Sequence, residues 1–100
     1  MKVLRREDVP GRPLAEFGSV GDVQFVSDSV VRMELPPGGR IGMHPAVDEQ
    51  LFILVAGEGD VRSGSEVAHV VAGDAVRWSR GEEHETTTQT GLVAIVIEPG

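Results

Sequence analysis

Apolar residues in this chain come in short runs, each closed by a cluster of turn-forming residues. The runs are Val23–Val26, Val30–Leu35, Arg40–Met43, Leu51–Ala56, Gly59–Arg62, Val67–Val71, Ala75–Trp78 and Leu92–Ile97. Between them stand Ser27-Asp28, Pro36-Pro37-Gly38-Gly39, Ser63-Gly64-Ser65 and Ala72-Gly73-Asp74, combinations that supply the backbone angles of tight turns. No run carries the 3.6-residue period of an amphipathic helix, and Val, Ile and Phe dominate, which favours strands. Close, regular spacing of such strands implies an all-β fold, an antiparallel barrel or sandwich.

Two runs, LFILVA and LVAIVI, are apolar on both faces. A strand with one wet face alternates, so these strands are expected to be covered on both sides. Packing the barrel against a second copy would cover the outer side, and a homodimer is expected on that ground. One hundred residues suit one domain, 1–100. No apolar run approaches the ~20 residues of a membrane span, and the start lacks a secretory apolar stretch. A formal charge of −7 argues against nucleic acid, whose phosphates call for a Lys/Arg surface. Cysteine is absent, which excludes disulfides and thiolate metal sites and favours a cytoplasmic location.

Two segments, PGGRIGMHPAVDEQLFILVAGEG and AGDAVRWSRGEEHETT, carry more specific spacing. Gly38 stands six positions before His44, Gly57 seven after Gln50, and Gly73, Gly81 and His84 keep a second fixed interval. Together they resemble the two consensus motifs of the cupin superfamily, and fifteen residues separate Gly57 from Gly73, as in compact bacterial cupins. The resemblance implies a jelly-roll barrel, a double-stranded β-helix: N-terminal strands in 1–35, the first motif in 38–59, the second in 73–88 and a closing strand in 92–98. It also exposes departures. Ala46 replaces the first motif's second histidine, Gln50 its glutamate, Ser79 the second motif's proline and Thr88 its asparagine.

In the family the motif histidines and glutamate hold a divalent metal inside the barrel. Carried over residue by residue, the surviving ligands here are His44, Gln50 and His84. Residues two apart on a strand share a face, so His44 and Ala46 are both expected to look inward. A one-residue slip would instead present Glu49, giving two histidines and a carboxylate; spacing to Gly57 favours Gln50. The set points to a transition metal (Zn, Fe, Ni, Cu or Mn) and not to Mg or Ca. All three ligands are neutral, so a bound divalent ion would keep its charge and favour a small anionic ligand. Binding should weaken below roughly pH 6, where imidazoles protonate.

Other polar residues have plainer expected roles. His69 matches no ligand position and reads as a surface strand residue. Asp48, Glu82, Glu83 and Glu85 read as an acidic rim, with Glu85 a candidate to accept a hydrogen bond from its neighbour His84 or to act as a general base. Trp78 reads first as core and second as cavity lining. Three functions follow: a metal-dependent isomerase, lyase or dioxygenase; a metal-free small-molecule binder or sensor, its ligand set broken at Ala46; or a domain that mainly dimerises. The resemblance does not separate them, since one fold hosts many activities. The lack of an appended DNA-binding segment argues against a transcription regulator.

Overall fold

In the computed structural model, which describes residues 1–15 and 18–98, the turn clusters divide the chain into nine strands. A 3₁₀ turn at Arg6–Asp8 precedes β1 (Gly11–Pro13), β2 (Asp22–Phe25), β3 (Val30–Leu35), β4 (Arg40–Pro45) and β5 (Gln50–Ser63). After these come β6 (Glu66–Val71), β7 (Ala75–Trp78), β8 (Glu83–Thr87) and β9 (Leu92–Ile97). The main path runs β1-β2-β3-β9-β5-β8-β4, with β6 and β7 also pairing β5, and every pairing is antiparallel. This is the expected all-β jelly-roll barrel.

Strand β5 joins the two walls. Its first half pairs with β9 and β7, its second half with β6 and β8. The sequence reads as two strands here, Leu51–Ala56 and Gly59–Arg62. The backbone pairs straight through the break, because Ala56 and Gly57 keep their β9 partners while Glu58 already pairs with Val71. Gly57 makes the bend possible: its φ is +82°, and a Cβ there would lie 2.1 Å from the Gly91 carbonyl oxygen.

Cross-strand rows fill the interior. Val23, Met33, Ala94 and Leu54 oppose one another in turn across β2, β3, β9 and β5, and Val31, Val96, Phe52 and Val76 form the next row, which ends at the exposed Phe25. Leu54 and Ala94 are fully enclosed, at 1% and 0% exposure. Burying a Leu or Phe side chain contributes roughly 1.5–3 kcal/mol, so these rows hold the walls in register. The outward side chains of β5 and β9, among them Leu51, Ile53, Ile95 and Ile97, are only half-buried and pair with one another across the strands.

Strand β8, EHETT, is absent from the sequence-based strand set. Its burial alternates, with His84 and Thr86 inside and Glu83 exposed, but the inside residues are polar, so no apolar run announces it. No helix among the described residues is long and apolar enough to cross a membrane.

Candidate functional site

The inner ends of β4 and β8 bring two histidines together. In the β4–β8 register Ile41 faces Thr86 and His44 faces His84, so β4 spends one residue more than β8 over the same interval. That bulge turns both Ile41 and His44 inward, where strict alternation would have sent His44 out. The His44 and His84 ring centroids lie 4.3 Å apart, and Trp78 stacks on His84 at 4.6 Å with 20° between planes.

Each imidazole is oriented by the backbone two residues before it. His44 Nδ1 lies 2.8 Å from the Gly42 carbonyl oxygen, and His84 Nδ1 lies 3.0 Å from that of Glu82. A carbonyl only accepts, so in each neutral ring Nδ1 carries the proton and Nε2 the lone pair. Burial, the largest influence, pushes the His84 pKa below its ordinary value of 6.5; the Glu82 carbonyl opposes this and nearby His44 adds to it.

Gln50 begins β5 opposite Trp78 and shares its face with Phe52. Its Nε2 donates to Glu98 Oε1 at 2.9 Å, which settles which end of the amide is which and leaves Oε1 as the acceptor end. Glu49 turns the other way and pairs with Arg77, Oε1 to Nε at 3.3 Å. Spacing favours Gln50 over Glu49, and of the two Gln50 lines the cavity. Ala46 is buried, as expected beside His44, but it belongs to the apolar core: its N–H donates to the Glu82 carbonyl and its own carbonyl accepts from Gly81.

Glu82 is the residue that sequence reasoning undervalued. Its side chain accepts from the Ser63 hydroxyl at 2.6 Å and from the Ser79 N–H at 2.9 Å, the former being the larger reason its pKa lies below the ordinary carboxylate value. Its carbonyl meets both the Ala46 N–H and the His84 ring. It therefore positions the loop that aims His84, and is more than rim. The signal was Ser79 in place of the motif's proline: only a residue with an N–H can donate to the carboxylate. Glu85 lies opposite Arg62, on the face of β8 away from His84 and Thr86. Thr88, at the motif's asparagine position, ties the β5 bend to the β8–β9 turn by donating to the Glu58 carbonyl and accepting from the Gly91 N–H.

His44, His84, Gln50, Trp78 and Thr86 share a cavity of about 470 Å³ with the apolar side chains of Val23, Phe25, Met33, Ile41 and Phe52, and Arg12 and Glu98 are also on its lining. His69 lies outside it, exposed on β6.

A curled antiparallel jelly-roll sheet with a histidine pair and an indole on its inner wall defines a class: barrels that present ring nitrogens to an interior cavity. Residues 31–98 match the cupin domain family, and the chain belongs to that family. An oxalate-binding protein of Thermotoga maritima is 34% identical over 71 residues, which span 66% of this chain and 59% of that protein, less than two thirds of its length. Among solved structures, a predicted oxalate decarboxylase of Thermotoga maritima superposes with a TM-score of 0.76 at 24% identity, covering 98% of this chain and 100% of the other. A polyketide cyclase of Streptomyces resistomycificus gives 0.83 at 21% identity over 99% of this chain and 79% of the other. At those identities the structures speak for the fold.

Imidazole and amide on one lining are donor types that a transition metal accepts. Two imidazoles, each held through Nδ1 by a backbone carbonyl as metal-ligating histidines usually are, stand beside an amide oxygen on the same lining. Among the described residues no cluster of three or more His, Asp or Glu is placed to complete a cage.

Proposed function

We propose that this cupin binds a small carboxylate in its barrel, with a divalent transition metal held by His44, His84 and Gln50. The observation that carries the reading is the histidine pair, two adjacent rings whose Nδ1 atoms are each committed to a backbone carbonyl. A bound ion would supply Lewis acidity and positive charge. The protein's part is to hold Nε2 of each ring as a lone-pair donor, to keep His84 neutral by burial and to fix the amide of Gln50 through Glu98. Three neutral ligands leave the ion's charge intact, which favours an anion, and the oxalate-binding relative supports a carboxylate. The half-buried outer stripe of Leu51, Ile53, Ile95 and Ile97 supports the homodimer, which light scattering tests.

Elemental analysis of wild type and His84→Ala, with calorimetric titration of oxalate and of its neutral diamide, tests the proposal. Stoichiometric metal in the wild type, weakened at least ~10–100-fold in the variant, supports it, as does tighter binding of oxalate than of the diamide. A metal-free wild type that still binds the acid would favour the second reading, a metal-free binder. That reading rests on the small ligand set and on Ala46 at the position where the family carries an imidazole.

A further inference from the structure

The histidine pair leaves one feature of the cavity unused, a cation at its lip. Arg12 lies on β1 directly opposite Val23 in register. Opposed residues project from the same face, so the Arg12 stem follows buried Val23 onto the cavity side while its head stays in solvent. Its Cζ sits 5.8 Å from the centre of the Phe25 ring, within reach of a cation–π contact, and Phe25 lines the cavity too. The chain carries 16 Asp and Glu against 9 Lys and Arg, yet among the described residues no carboxylate pairs with Arg12. Glu98, the acid on the lining, follows β9 and is held by Gln50, with β2 and β3 between it and Arg12.

The wall of Arg12's own sheet is hydrocarbon where it lines the cavity next to it: Val23, Phe25, Met33 and, further along, Phe52. Oxalate has no hydrocarbon with which to cover it. A volume of about 470 Å³ lies within the ~300–1,000 Å³ typical of pockets for larger organic ligands. We propose that the cavity takes a monocarboxylic acid with an apolar body, aromatic or branched aliphatic. The body lies on this wall, Arg12 meets the carboxylate at the lip, and the far end faces His44, His84 and Trp78. Arg12 thus selects acids over neutral analogues by itself, whether or not a metal ion is bound. The inference rests on reading the cavity as a small-molecule site, and it does not require the metal.

The test is calorimetric titration of benzoate, benzamide and oxalate into wild type, Arg12→Gln and Arg12→Lys, before and after chelator treatment. Emission of Trp78, the single tryptophan, gives a second readout. Wild type should bind benzoate about tenfold or more tighter than benzamide, the size expected of a charge-assisted contact. Arg12→Gln should cut that preference, to nothing in the chelator-treated protein, and leave benzamide unchanged, while Arg12→Lys keeps part of it. Persistence of this pattern without metal supports the inference even if the metal reading fails. Equal benzoate binding in wild type and Arg12→Gln, tighter oxalate than benzoate after chelator treatment, or no response to benzoate would each overturn the inference. None of these touches the metal content, which stands or falls with His84.

Discussion

His84 and His69 are the same side chain on opposite faces of the barrel wall, and the structure gives them opposite chemistry. His84 faces in at 5% exposure, stacked on Trp78, and burial holds its pKa below the ordinary value. His69 faces out on β6, its Nδ1 2.8 Å from Asp60 and its Nε2 3.5 Å from Glu58, and the Asp60 hydrogen bond leads the influences that raise its pKa. The inner ring is kept neutral with a lone pair to offer. The outer ring is surrounded by acids that favour its charged form. Which face of a strand a histidine occupies therefore decides whether it can serve as a ligand.

The most disruptive way to break the contrast is to remove the indole. Trp78 is 4% exposed and packs in the core, so Trp78→Ala should lower stability by about 3–5 kcal/mol in urea denaturation. Water would then reach His84, and its pKa, followed by proton NMR in chelator-treated protein, should rise toward 6.5 while His69 stays put. An unchanged His84 in that variant would show that burial is not what keeps it neutral.

Next in size is the acid limb of stability. His84 titrates lower when folded than when unfolded, so between those values the unfolded chain binds more protons. Its contribution is complete above 6.5 and is lost as pH falls through the depressed folded value. Urea midpoints of metal-free wild type should therefore drop below that pH. His84→Gln, which has no proton to gain, should show a flatter acid limb.

A smaller effect is expected at Glu82. Glu82→Ala removes acceptors for Ser63 and Ser79 on a half-exposed loop, a loss of about 1 kcal/mol after allowing for solvent. If the loop aims His84, the variant should also lose metal affinity, and Glu82→Gln should recover part of both. A stability loss with metal affinity untouched would make Glu82 a loop staple alone.

The architecture could be read from the sequence because most of it rests on apolar runs and turns; β3, β7 and β9 lie where the runs put them. Strand β8 and the continuity of β5 were not legible. The first hides its inward face behind His84 and Thr86, and the second depends on a left-handed Gly57 packed against Gly91, a contact made only after folding. The histidine pair was legible by motif register. The β4 bulge that aims His44 was not, because bulges follow pairing and pairing is non-local. Arg12 gave no sign either: β1 is three residues long and carries no pattern.

The smallest effect belongs to the outer histidine, and its sign is the sharpest check on the contrast. His69 titrates higher when folded than when unfolded, so its contribution is complete below 6.5 and disappears as pH rises through the raised folded value. His69→Gln should therefore be less stable than wild type on the acid side and equal to it in alkali, the reverse of what His84→Gln shows. Because His69, Asp60 and Glu58 are all exposed, added salt should shrink the difference, whereas burial should protect the His84 effect from salt. Paired urea curves at low and high salt would read both. A His69 effect that survives high salt would mean that the outer face shields its charges as the inner one does, and the distinction between the two faces would have to be drawn elsewhere.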